Sequence, residues 1–170
     1  MWCCLVGSEM CIRDRFRKAL GAFPTGVTVI TTVDAEGNPV AMTASSFNSV
    51  SLEPPLVLFS IGNERSSLSA FLQARCFAIH VLGADQQDVS SRFARSGAGD
   101  FTGLRYTLSK DNVPLFEDFV ARYECETRHE YEGGDHLIIV GEVRDFSAHD
   151  KPALLFHRGR YASIQDSPPS

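Results

Sequence analysis

The stretch Phe23–Ile61, FPTGVTVITTVDAEGNPVAMTASSFNSVSLEPPLVLFSI, decides the fold. Every residue from Val27 to Val33 is β-branched, which favours a strand over a helix because two heavy atoms on Cβ restrict χ1. The run Asp34-Ala35-Glu36-Gly37-Asn38 is built of turn formers, so Val40–Phe47 returns as the hairpin partner. Pro54-Pro55 then bars a helix and starts a third strand, Leu56–Ile61. Inside the second strand, Thr43 to Ser46 are four small residues, three of them with hydroxyls. A strand interior normally carries large apolar side chains, and small ones let a flat ligand approach the backbone. A bulged edge strand is the plainer reading of the same residues.

Outward from this stretch the chain continues as antiparallel β structure with short helices. Phe16, Leu20 and Phe23 lie three or four apart and mark a short amphipathic helix ended by Gly21 and Pro24. Leu68, Phe71 and Leu72 give a second helical stripe behind Ser66-Ser67, and Val89 with Phe93 a third, after Asp85, whose carboxylate is placed to cap it. Phe77–Leu82 reads as a buried strand. From Phe119 to Glu130 apolar and charged residues alternate, giving a strand with one wet face. Glu132-Gly133-Gly134-Asp135 turns the chain into His136–Phe146, and Leu154–Phe156 pairs with Tyr161–Ile164 around Gly159. Seven or more short strands of this kind predict a barrel, not a doubly wound sheet.

Composition narrows the function classes. A chain of 170 residues holds one core-forming domain, expected over 15–165. A net charge of −5 without a Lys/Arg cluster argues against nucleic acid or an anionic membrane as partner, and no apolar run approaches the ~18 residues that span a bilayer. The five cysteines include no Cys-x-x-Cys pair, which fits a reducing cytoplasm. Met1 to Arg15 holds three of those cysteines and the sole Trp. Residues 1–14 look like translated adapter sequence and are expected to be a non-native leader, and 166–170 a disordered Pro/Ser tail.

No glycine-rich dinucleotide fingerprint or P-loop is present. The physical alternative for a phosphate is the helix N-terminus opened by Ser66-Ser67, where free amides and two hydroxyls meet, although either serine also serves as an ordinary N-cap. His136 follows Gly133-Gly134-Asp135 at a turn where glycines permit close approach of a ligand; a solvated hairpin histidine is the alternative. His80, His129, His149 and His157 share no ligand spacing, so no metal is expected. Arg158 and Arg160 flank Gly159, either facing a pocket or as surface charge.

The Phe-Pro-Thr-Gly turn, Met42–Ser46, the Gly134-Asp135-His136 turn and Arg158-Gly159-Arg160-Tyr161 together resemble the flavin reductase family, over Phe16 to Ile164. The resemblance implies a mainly β fold with short helices, the Greek-key, FMN-binding split β-barrel. It implies that Met42, Thr43, Ala44, Ser45 and Ser46 hold the flavin, with Ser60, Ile61 and Gly62 beside them. Ser66 and Ser67 would take the phosphate, and Arg92 and Phe93 would complete the flavin contacts. Gly134, Asp135, His136, Arg158 and Tyr161 would meet the nicotinamide, His136 as the residue that orients it. The implied activity is hydride transfer from NADH or NADPH to FMN or FAD, in a homodimer that supplies reduced flavin to a separate monooxygenase. A split-barrel FMN oxidase resembling pyridoxamine-phosphate oxidases and a flavin-binding electron carrier are the alternatives.

Overall fold

The computed structural model describes residues 6–95 and 100–164, with side chains from residue 11 onward. The expected tail 166–170 and the first five residues of the expected leader lie outside the described residues. Helix α1 (Val6–Leu20) is followed by β1 (Thr25–Gly26), β2 (Thr28–Val33), β3 (Pro39–Ala44), β4 (Asn48–Leu52) and β5 (Pro55–Gly62). Then come α2 (Leu68–Gln73), β6 (Cys76–Val81), α3 (Gln87–Ala94) and the small hairpin β7 (Tyr106–Leu108) and β8 (Pro114–Phe116). Two long strands, β9 (Ala121–Gly133) and β10 (His136–Ala148), precede the hairpin β11 (Leu155–His157) and β12 (Arg160–Ala162).

Seven strands form one antiparallel sheet in the order β3-β2-β6-β9-β10-β5-β4, and β1-β11-β12 form a smaller one. The large sheet curls until its ends share a core: Met42 and Ala44 of β3 join Val57, Phe59 and Ile61 of β5 in one buried cluster, capped by Phe71 of α2. No backbone ladder joins β3 to β5. Instead the Ser46 hydroxyl, just past β3, accepts from the Ser60 N–H at 2.9 Å and donates to the Ser60 carbonyl at 3.2 Å. This is the split barrel expected from the sequence, its seam crossed by one side chain.

The outer face of β2 and β3 is covered by a second cluster, in which Val29 and Ala41 meet Val89 and Phe93 of α3, Phe116 of β8 and Leu154. Alternating residues of β2 and β3 thus serve two cores, which is why β2 reads as a continuous apolar and threonine run with five of six residues buried. Gly141 is required by packing: a β-carbon there would lie 2.4 Å from Cζ of Phe77.

Two expectations change, and one strand is added. The helix expected around Phe16–Leu20 reaches back to Val6, so residues 6–14 of the expected leader form its first turns, while Ile12, Phe16 and Leu20 are all more than half exposed. Asp85 does not cap α3. The N-cap is Gln86, whose amide is engaged elsewhere, Oε1 accepting from Gly83 N–H at 2.7 Å and Nε2 donating to the Asp118 carbonyl at 3.1 Å, while Asp85 folds back over Gly83. Asn48–Leu52 forms a strand that its sequence does not announce, since it is an edge strand with exposed residues on both faces.

Candidate functional site

The β9–β10 turn is built by backbone chemistry. Gly133 pairs with His136, leaving Gly134-Asp135 as a two-residue loop, and Gly134 takes the positive φ of 76° that a type II′ hairpin needs. Asn63, in the turn after β5, pins this loop: its N–H donates to the Asp135 carbonyl at 3.0 Å and its side-chain amide to the Gly134 carbonyl at 3.1 Å. His136 is thereby set opposite Gly62 in the β5–β10 ladder. Its Nδ1 contacts Asp135 Oδ1 at 2.6 Å, which holds the Asp135 carboxyl below its ordinary range through the hydrogen bond first and the charge second. With Nδ1 engaged by that carboxylate, Nε2 is the ring nitrogen left facing Gly62. The ring is half exposed, as a ligand-facing group must be.

From Gly62 the floor runs back along β5 to Ser60 and across the seam to Ser46. Small residues here leave backbone accessible to a flat ring, so a flavin fits this floor: a β-carbon on Gly62 would touch only Arg65 Cγ and His136 Nε2, both at 3.7 Å. The individual side chains are placed less uniformly than the sequence suggests. Ile61 is fully buried in the barrel, with Met42 and Ala44 beside it, so these three face the core and only their backbone can reach a ligand. Thr43 points to the opposite side, its hydroxyl donating to the Ser90 carbonyl of α3 at 2.7 Å. Ser45 is exposed.

Ser66 and Ser67 stand at the start of α2, which is only six residues long, and Ser67, at the N-cap, is buried without a side-chain capping bond. The groove of about 410 Å³ beside them is also lined by Asp34 and Glu36, two carboxylates that oppose a phosphate. Arg65, next to them in the chain, is a cation at this turn, and its guanidinium Nη1 donates to the Ala94 carbonyl at the end of α3, 2.9 Å away. Arg65 escapes a motif reading, although its place between Gly62 and Ser66 is the signal.

The expected contact from Phe93 changes character: the ring is 1% exposed and packs on Phe101 and Phe116, so it anchors α3 in the core instead of facing a ligand. Arg92 turns to the following loop, donating to the Thr102 carbonyl at 2.7 Å and the Asp100 carbonyl at 3.3 Å.

The C-terminal hairpin turns at Arg158-Gly159, with φ of 49° and 78°, and is tied to the end of α1 by Arg158 N–H donating to the Gly21 carbonyl at 2.7 Å. His157, Arg158, Arg160 and Tyr161 line a groove of about 450 Å³, and among the described residues neither arginine makes a salt bridge. Tyr161 reaches inward to donate to Ser90 Oγ at 2.9 Å. A wider groove, about 710 Å³, lies on the outer face of β6 and β9, but its Arg75, Glu126 and Arg144 pair with one another.

His80 is structural. It is fully buried, accepts from Phe116 N–H at 3.1 Å through Nε2 and lies 3.2 Å from the Val29 carbonyl through Nδ1, and burial pushes its pKa down to about 3. Neutral, with the proton on Nδ1, it satisfies both neighbours.

A curled antiparallel barrel with a small-residue floor beside a Gly-Asp-His turn defines a flavin-binding split barrel. Residues 20–165 match the flavin reductase like domain, and the chain belongs to that family. It is 47% identical over 146 residues to the FMN reductase (NADH) SmoA of Agrobacterium fabrum, covering 86% of this chain and 83% of that protein. It is 37% identical to the flavin-dependent monooxygenase reductase subunit HsaB of Rhodococcus jostii, covering 94% of this chain and 82% of that protein. The crystal structure of the Streptomyces globisporus NADH:FAD oxidoreductase SgcE6 with NAD and FAD fragments superposes with a TM-score of 0.85, at 37% identity, over 90% of this chain and 93% of that one. Some relatives are longer: the chain spans 47% of a probable flavin reductase of Rhizobium meliloti, to which it is 43% identical over 85% of its own length.

Proposed function

We propose that this protein is an NAD(P)H-dependent flavin reductase that passes a hydride from NADH or NADPH to FMN or FAD and supplies the reduced flavin to a separate monooxygenase. The observation that carries the residue assignment is His136 placed opposite an open Gly62 by the β5–β10 register. Bound there, the flavin supplies the hydride acceptor. Gly62 and the Ser60–Ser46 seam give its ring a flat floor, and Arg65 with Ser66 and Ser67 supplies donors for a phosphate. His136, held by Asp135, presents Nε2 to the carboxamide of a nicotinamide stacked above, and Arg158 and Tyr161 stand on the nicotinamide side. Hydride transfer needs aligned rings and excluded water more than a titrating group, so His136 orients the ring and does not exchange a proton.

The relatives named as monooxygenase reductase components support the separate oxygenase. A homodimer fits the exposed apolar Phe16 and Leu20 of α1, and a cytoplasmic location fits the free Cys76 and Cys125. No helix among the described residues is long and apolar enough to cross a membrane.

Nicotinamide absorbance followed under air, with excess FMN or FAD and either NADH or NADPH, tests the activity. Many turnovers per protein are expected. Bleaching of one bound flavin and no more would reassign the chain as a carrier.

A further inference from the structure

Helix α3 is tied to three parts of the candidate site. Arg65, from the turn after β5, donates to the Ala94 carbonyl at its C-terminal end. Two more ties meet at one residue, Ser90: its carbonyl accepts from the Thr43 hydroxyl of β3 at 2.7 Å, and its hydroxyl accepts from the Tyr161 hydroxyl of β12 at 2.9 Å. Ser90 is 2% exposed and lies between Val89 and Phe93 on the face that α3 buries. A hydroxyl on an apolar stripe is costly unless it is bonded, and this one is bonded to the C-terminal hairpin. Ser91 stands 3.3 Å from the same phenol but is exposed, where water competes for the bond.

We infer that Ser90 is a positioning residue that fixes the C-terminal hairpin, and with it the nicotinamide side of the site, to α3 and through Thr43 to β3, which leads into Ser46 at the edge of the flavin floor. The inference rests on the proposed reductase function. Strand β11 is held by its ladder with β1, and the hairpin turn by Arg158 N–H on the Gly21 carbonyl. Strand β12 pairs with β11 alone, so its placement relative to α3 depends on packing and on the Tyr161–Ser90 tie. Arg158 lies on the hairpin turn and Arg160 opens β12. Release of the Tyr161–Ser90 bond therefore loosens β12, with Arg160 and Tyr161, relative to the floor, while β11 and the floor itself, held by their ladders, stay in place. Near-attack alignment of two rings is sensitive to displacements of that order.

The test uses Ser90→Ala and Tyr161→Phe, which delete the same bond from opposite ends, together with their double mutant. Ser90→Ala leaves the carbonyl that holds Thr43, and Tyr161→Phe keeps the ring. Each single variant is expected to raise the KM for NADH, or lower the reduction rate of pre-bound flavin, by about three- to tenfold, the worth of one neutral hydrogen bond. The flavin dissociation constant should stay within about twofold. The double mutant should be no worse than the singles, because the bond is lost only once. Equal changes in flavin affinity and nicotinamide kinetics, or additive losses in the double mutant, would overturn the positioning role while leaving the reductase intact. A parent protein that turns over no NADH or NADPH with flavin would overturn both readings, and the two failures are told apart by the parent assay alone.

Discussion

Nε2 of His136 lies 3.7 Å from the point where a β-carbon on Gly62 would sit, and Arg65 Cγ is the one other atom within 4 Å of that point outside its chain neighbours. The glycine is not demanded by its backbone, since its φ lies outside the left-handed region, nor by core packing. It keeps space open. Gly62→Ala is therefore expected to fold with unchanged or slightly raised stability, by up to about 1 kcal/mol from reduced unfolded-chain entropy. Flavin affinity should nevertheless fall at least about tenfold, because the methyl occupies the floor. Unchanged flavin titration in a stable variant would move the flavin off Gly62.

His136→Ala separates binding from chemistry. The imidazole is bound to Asp135 and held by Asn63 through the loop, so its loss leaves the floor intact. Flavin affinity should stay within about threefold, whereas stopped-flow reduction of pre-bound flavin should slow by about tenfold or more. A variant that reduces flavin at the parent rate but no longer retains it would make His136 a flavin ligand.

Much of the frame is legible in the sequence because local rules and burial agree there. The β2–β3 hairpin, the Gly134 turn and the Gly159 turn each combine apolar strands with a residue able to take the required φ. β4 is not legible, since an exposed edge strand needs no apolar alternation, and β7 and β8 are three residues each. Side-chain roles are harder still. Ser46, Thr43 and Ser90 are small polar residues whose partners lie 14 or more positions away and are brought together only by the tertiary fold. Composition marks Thr43–Ser46 as unusual without revealing that one hydroxyl closes the seam and another holds a helix. A polar residue at position 90, on the same helical stripe as Val89 and Phe93, is the readable trace of the Tyr161 tie.

Gly141→Ala tests the barrel independently of the site. The added β-carbon would sit 2.4 Å from Cζ of Phe77 and 3.0 Å from Cβ of Cys125, too close for either to remain. Overpacking of this kind costs about 1–3 kcal/mol, read as a lower urea midpoint. Phe77→Leu in the same chain shortens the side chain at the clash and should recover part of the loss. A midpoint equal to the parent's would show that β10 shifts freely at its Val140/Gly141 bulge.

His80 predicts a pH dependence whose sign is fixed by its burial. In the folded protein its pKa is about 3, while an unfolded histidine titrates near its ordinary value of 6.5. Between those values the unfolded chain binds the extra proton. The stability His80 supports is thus complete above about pH 6.5 and is lost as pH falls toward 3, with a slope approaching about 1.4 kcal/mol per pH unit. Carboxylates titrate in the lower part of this window, so the test is a difference between two proteins. His80→Gln keeps an acceptor for the Phe116 N–H but cannot take a proton in this range. It should be less stable than the parent at pH 7, through imperfect hydrogen bonding to Val29 and Phe116, and should lose less stability between pH 6.5 and 4.5. Urea unfolding at the two pH values measures both. Parallel pH profiles for parent and variant would mean that His80 is hydrated or protonated in the folded state, against its complete burial.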